Sequence, residues 1–259
     1  RYIAIPASSE SSRHPASPHL FRHSSMSKRA TQIYTGIEIG TASIKVVVGQ
    51  FQPDGILNLC GVGEEPTQGS VVKGEIVDAG KALEQLIAAM RQAEQAGRME
   101  IDTSAMYLAV TGGHIRSVDS VGTVMISRPD RSITQADREN AENQAYNYPF
   151  RPDKPPVNYF NRLFRVDGMR EADNPVGQIG SKLEAEVHII YGDLNRLEMG
   201  RKLVEEAAGQ PPSDQVFSPI ADGMAVFFQR EAIGKGVLVL DMGAGVTEYA
   251  VLRGGGGDY

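Results

Sequence analysis

The chain has 259 residues, 41% of them hydrophobic and 22% charged, with a formal net charge of −6. That composition supplies a core for one large or two small domains and excludes a broad basic face for nucleic acid or anionic lipid. A single cysteine, Cys60, excludes an internal disulfide and a multi-cysteine metal site, and no apolar run approaches the roughly 18–20 residues of a membrane-spanning helix.

Residues 1–32 are rich in Ser, Pro, His and Arg and hold one acidic residue, Glu10, and three of the five histidines. This composition predicts a disordered tail rather than a transit peptide or metal-binding tract. Met26 reads as a natural start, which would make residues 1–25 an upstream extension.

From Ile33 the text becomes globular. Ile33–Ile39, Ile44–Phe51 and Ile56–Gly63 are β-branched runs parted by Gly-Thr-Ala and Gln-Pro-Asp-Gly turns, and they predict a three-strand meander. Cys60 falls inside the third run, as a small buried side chain in a reducing compartment. Asp78 caps a helix over Ala79–Gly97, with Leu83, Leu86, Ile87, Met90 and Ala93 on one face.

The texture then changes. Strands are predicted over Ala105–Thr111, His114–Ser120 and Val121–Ser127, with Gly112-Gly113 as a turn and His114 exposed beside it. A helix runs from Thr134 to about Asn147, with Asp137 at the third position of its first turn. Strands follow over Tyr159–Val166 and Lys182–Tyr191, and His188 on the latter reads as a core or edge histidine. This α+β segment, residues 105–188, predicts a small subdomain inserted into a larger one made of residues 33–104 and 189–259. The chain goes on with a helix over Asp193–Gly209, a short strand at Gln215–Phe217 and a helix over Pro219–Glu231. A hairpin closes it, Val237-Leu-Val-Leu-Asp-Met-Gly-Ala-Gly-Val-Thr-Glu-Tyr-Ala-Val251. No internal sequence repeat is visible.

That last hairpin and Gly36-Ile-Glu-Ile-Gly-Thr-Ala-Ser-Ile-Lys45 have the same form: an apolar strand carrying an acidic residue, a glycine turn, and a second apolar strand. Glu38 would cost several kcal/mol if buried unpaired, so it needs a cation, a buried base or a solvated cleft. Four apolar residues lead into Asp241, and Gly243 and Gly245 admit close approach of an anion. Amides of the turns suit phosphate oxygens, and carboxylates beside them suit a water-bridged magnesium ion. One such hairpin says little more than "tight turn"; two at opposite ends of one chain predict nucleotide binding. Asp222, in Ser218-Pro-Ile-Ala-Asp-Gly-Met224, is a candidate for polarising water or taking a proton, and equally a helix first-turn Asp favoured by the dipole. There is no zinc spacing, Ser/His/Asp signature or Walker motif.

These stretches resemble the actin-like ATPases. Gly36 to Gly49 resembles the first phosphate loop, Pro219 to Met224 the first connecting segment, and Val239-Leu-Asp-Met-Gly-Ala-Gly245 the second phosphate loop. In the middle, Tyr107-Leu-Ala-Val-Thr-Gly-Gly-His-Ile115 and Asn174-Pro-Val-Gly-Gln-Ile-Gly-Ser-Lys-Leu-Glu-Ala-Glu-Val-His188 are similar to the insert of the bacterial cell-division FtsA family. The resemblance covers about residues 33–255. It implies the first half of an actin-like, ribonuclease H-like α/β ATPase fold with a small α+β insert, binding ATP and Mg2+. Gly40, Thr41, Ala42, Ser43 and Lys45 would face phosphate from one side and Gly243, Ala244 and Gly245 from the other. Glu38 and Asp241 would serve the metal, and Asp222 and Asp241 the hydrolytic step. It further implies a scaffold at the cytoplasmic face of the inner membrane that self-associates into filaments, links FtsZ filaments to the membrane and recruits later division proteins. Nucleic acid is not among its partners.

Two departures stand out. Val246 follows the final glycine where the family often has a hydroxyl, and Thr247, one place on, faces the other way, so at most weak ATPase activity is expected. The second actin-like half and the family's membrane-binding helix are not in this sequence, which reads as a truncated product. A sugar-kinase-like phosphotransferase with Asp222 as base, or a pilus-assembly relative, would use the same core.

Overall fold

A computed structural model describes residues 32–52, 57–226 and 236–252. The expectations for the N-terminal tail and Met26, most of the turn after Phe51, the last residues of the helix after Pro219 and the glycine run after Leu252 lie outside the described residues.

The first sheet has five strands in the order β11-β6-β1-β2-β3. β1 (Ile33–Ile39), β2 (Ser43–Phe51) and β3 (Leu57–Pro66) form the antiparallel meander, and β6 (Met106–Val110) and β11 (Asp214–Phe217) add in parallel beside β1. Parallel neighbours need crossovers, and helices supply cover on one face. Helix α1 (Ala79–Gly97) starts at an Asp78 cap that accepts the Lys81 amide, and buries Ala82, Leu86, Ala89, Met90 and Ala93 against Ile37, Ile44, Val46 and Leu108. Burial of Leu86 alone contributes roughly 2 kcal/mol. Helix α3 (Leu194–Ala208) lies alongside α1, capped by Asp193 and stopped by left-handed Gly209. Between β3 and α1 sits a small hairpin of β4 (Val71–Val72) and β5 (Glu75–Ile76).

The second sheet, in the order β7-β10-β8-β9, is antiparallel throughout and carries helix α2 (Gln135–Tyr146) on one face. Its strands are β7 (Arg116–Met125), β8 (Pro156–Val166), β9 (Arg170–Ala172) and β10 (Lys182–Tyr191). Thr134 and Asp137 form a reciprocal capping box at the start of α2, and Arg128 grips the Asp137 carboxylate. The two strands predicted over His114–Ser120 and Val121–Ser127 are one continuous strand, β7. Gly122 does not interrupt it. A Cβ there would lie 1.9 Å from the Ala141 carbonyl oxygen, so the glycine is where α2 rests directly on the strand. Gly63 on β3 serves α1 in the same way, 1.9 Å from the Ala89 carbonyl oxygen by the same measure.

The third sheet is the hairpin of β12 (Val237–Met242) and β13 (Thr247–Leu252). Its inner face, Val239, Ala250 and Leu252, packs on helix α4 (Ser218–Val226) through Ile220, and on Ile190 and Phe217. Among the described residues no helix is long and apolar enough to cross a membrane.

Candidate functional site

The two glycine-turn hairpins have the same local build. The Gly40 amide donates to the Ser43 carbonyl at 3.1 Å, and the Gly243 amide to the Val246 carbonyl at 3.0 Å. Each turn is thus closed by its first glycine three residues ahead. The strand registers match as well: Glu38 lies opposite Lys45, and Asp241 lies opposite Glu248. The likeness of form read in the sequence is thus present in the backbone.

The turns meet. A Cβ on Gly245 would be 2.5 Å from the Thr41 hydroxyl and 2.9 Å from the Lys73 Cα. Gly245 has no positive φ, so what requires glycine here is space between the two loops. Thr41 also accepts the Gly74 amide at 3.0 Å through its side chain, and its carbonyl accepts the Thr67 hydroxyl at 2.5 Å. The tip of the β4–β5 turn, Lys73-Gly74, is therefore wedged against both loops. Neither residue stands out in the text as part of a site. The left-handed backbone at both positions (φ 51° and 76°) marks only a tight turn of the kind an X-Gly pair favours.

Around this junction the structure brings together several carboxylates and the Lys45 ammonium. The Lys45 ammonium donates to Glu38 at 3.0 Å. That bond raises the Lys45 pKa, as do the charges of Glu38, Glu64 and Asp241. Loss of solvation, then the nearby Glu38 charge, raises the Asp241 carboxyl, with Lys45 opposing. Asp222 in α4 keeps solvent access, yet it is raised first by desolvation on its inner side and then by Asp241 and Glu38. Glu248 is raised mainly by burial, while its bonds to Thr111 and Gly112 pull the other way. Asp241, Asp222 and Glu248 are thus each disfavoured as anions where they stand, with Lys45 opposing this only at the first two, and an added cation would relieve them. Among the described residues no three His, Cys, Asp or Glu side chains converge closely enough to hold a metal by themselves. The residues present therefore fit a cation that arrives with its own anionic ligand, as magnesium does with phosphate, rather than a bare protein cage.

Other predicted residues are placed as follows. Ser43 is buried and its hydroxyl donates to Glu64 at 2.6 Å, along the strand pair rather than into the junction. Ala42 and Ala244 are exposed at the tips of the turns, and Gly243 is exposed beside Ala244. His114 is half-buried, not at an exposed turn: its Nδ1 accepts the Asp193 amide at 3.1 Å, and burial lowers its pKa. His188 lies on the face of the second sheet opposite α2, 2.6 Å from Asp119. Glu248, Thr111, Gly112 and the Lys73-Gly74 turn join the site without having been predicted. The signal for Glu248 was available, since it is an acid on the same face of its strand as the apolar Ala250 and Leu252.

Comparison with known proteins bears on the family and the fold. Residues 112–191 match the family model for the SHS2 domain inserted in FtsA. The cell division protein FtsA of Escherichia coli K12 is 31% identical over 226 residues, covering 86% of this chain and 52% of that protein. That of Streptococcus pneumoniae is 31% identical over 220 residues, covering 85% and 47%. The chain thus spans about half the length of the curated relatives it matches. Among solved structures, a PilM-PilN type IV pilus biogenesis complex aligns with 87% of this chain and 60% of that chain, at a TM-score of 0.57 and 18% identity, a likeness of fold. Residues 112–191 are thus similar to the SHS2 domain inserted in FtsA, on an α/β fold like that of the PilM-PilN complex, and the chain is FtsA-like over the N-terminal part it shares with these relatives.

Proposed function

We propose that this chain is the phosphate-gripping part of an ATP-dependent cell-division scaffold. The observation that carries the reading is the contact of the Gly245 turn with Thr41 and Lys73, beside carboxylates that share one lysine. In this reading the amides of the 40–43 and 243–246 turns hold the phosphate oxygens, and Lys45 neutralises them. Glu38 and Asp241 orient the water shell of a magnesium ion, which supplies charge neutralisation on the phosphates. In the same reading Asp222 and Asp241 would polarise the attacking water. Val246 beside the turn offers no hydroxyl, which suits a slow hydrolytic step and a nucleotide that governs assembly more than it is turned over.

The wider role follows from the FtsA relatives. The protein would link FtsZ filaments to the cytoplasmic face of the inner membrane at the division site, self-associate into filaments and recruit later division proteins. The SHS2 insert would offer partner contacts. A pilus-assembly role shares only the fold with the solved PilM-PilN complex, whereas the insert matches the division family in sequence.

The test is calorimetric titration of the chain with ATP in the presence and absence of magnesium, alongside Asp241→Ala. Magnesium-dependent binding that Asp241→Ala abolishes is expected. Absence of binding, or binding indifferent to both magnesium and Asp241, sinks the reading. Co-sedimentation of the protein with FtsZ polymers checks the scaffold role, and robust phosphorylation of an added sugar would replace it with a phosphotransferase.

A further inference from the structure

Glu248 reaches out of its own hairpin. One carboxylate oxygen accepts the Gly112 amide at 2.9 Å and the other accepts the Thr111 hydroxyl, joining residues 136 and 137 positions apart. Thr111 follows β6 directly, and Gly112 is the first residue of the SHS2 match, four residues before β7 begins. Beside them a groove of about 560 Å³ separates β13 from Gly113, Arg116 and Ser117. Glu248 and Gly112 both line that groove.

The contacts close a ring. Loop residue Thr41 accepts the Gly74 amide, Gly74 lies against Gly112 (a Cβ on it would be 3.1 Å from the Gly112 Cα), Gly112 donates to Glu248, and Glu248 faces Asp241 across the hairpin. From the same hairpin Gly245 returns to Thr41. A shift of either phosphate-side turn therefore pulls on the first residue of the insert. We propose that Glu248 is a positioning residue that fastens the second turn to the root of the SHS2 insert, so that nucleotide between the turns and the setting of the insert are linked. The proposal rests on the nucleotide reading above. A carboxylate suits the task because it presents two acceptor oxygens and brings no donor that would go unpaired against the Gly112 amide.

The experiment is hydrogen–deuterium exchange on the intact chain, with and without Mg·ATP, for wild type, Glu248→Leu, Glu248→Gln and Thr111→Val. In the nucleotide-free protein, Glu248→Leu is expected to speed exchange of the Gly112 amide about tenfold, the effect of losing one hydrogen bond to a charged acceptor. Glu248→Gln, which keeps an oxygen for that amide, is expected to restore most of the protection. Mg·ATP is expected to slow exchange through β7 in wild type, and only at the two turns in Glu248→Leu. Thr111→Val, which preserves shape and removes one arm of the contact, is expected to fall between. A Gly112 amide that exchanges equally in all four proteins overturns the fastening, and so does protection of β7 by Mg·ATP that survives Glu248→Leu. If wild type shows no Mg·ATP effect at either turn, the nucleotide reading fails and the linkage with it, while the Gly112 comparison still decides whether the bond is made.

Discussion

Gly245→Ala is the sharpest probe of whether the two turns act as one site. The new methyl would stand 2.5 Å from the Thr41 hydroxyl oxygen and 2.9 Å from both the Lys73 Cα and the Thr41 Cγ2, where ordinary contact begins at 3.4 Å. Rotating Thr41 brings no relief, because its methyl occupies the alternative position and its oxygen holds the Gly74 amide. Lys73 offers backbone, which cannot swing aside. The turns must therefore part by roughly 0.9 Å, and overpacking of this kind costs about 1–3 kcal/mol. Taken from binding that requires both turns, this is about a fivefold to hundredfold loss of Mg·ATP affinity, at 1.4 kcal/mol per decade. Calorimetric titration measures it, with Gly36→Ala as the control: nothing lies within 4 Å of a Cβ there, and alanine in a strand is the better residue. Mg·ATP affinity unchanged in Gly245→Ala would show that the turns do not grip one ligand, however close they lie.

Asp241→Asn should separate stability from binding: the nucleotide-free protein should melt at or above the wild-type temperature at pH 7, because a carboxyl held above its usual range disfavours the folded state once ionised, and the gain should shrink as pH falls and vanish below about pH 3. Mg·ATP affinity should fall at least tenfold in the same variant, and a lower melting temperature with intact binding would contradict both points. At the start of α2 the sign reverses. The bond from Arg128, aided by Thr134, holds Asp137 down at about 2, so its contribution is complete above about pH 4 and is lost as pH falls toward 2. With Arg128 largely in solvent, Asp137→Asn should cost about 1–2 kcal/mol in urea unfolding at pH 7, shrinking as acid is added; a penalty independent of pH would refute the assignment. Gly122→Ala should cost about 3 kcal/mol or more and expose the core around Ala141, seen as faster exchange throughout α2, since the obstructing atom is a helix carbonyl.

The elements were largely legible because the signals that set them are local. β1 and β10 follow from β-branched alternation, and α1 and α3 from an Asp cap at one end and a C-terminal stop at the other. Where local signals misled, a distant partner had decided the matter. The strands expected over His114–Ser120 and Val121–Ser127 are one, with Gly122 on it seating α2, and His114 reads as turn surface but is covered by the Asp193 end of α3. The site divides along the same line. Glu38 and Asp241 announce themselves as acids on apolar strands, a pattern a single segment can display. That Gly245 touches Thr41, that Lys73-Gly74 wedges beside them and that Glu248 reaches Gly112 depend on chain closures of more than a hundred residues. Such closures are set by the packing of α4 and the inner hairpin face around Phe217, Ile220, Val239 and Leu252. The apolar contacts thus position the lobes, and the polar ring from Thr41 through Gly74, Gly112 and Glu248 uses that placement. Weakening the apolar cluster should therefore open the ring without altering any of its members.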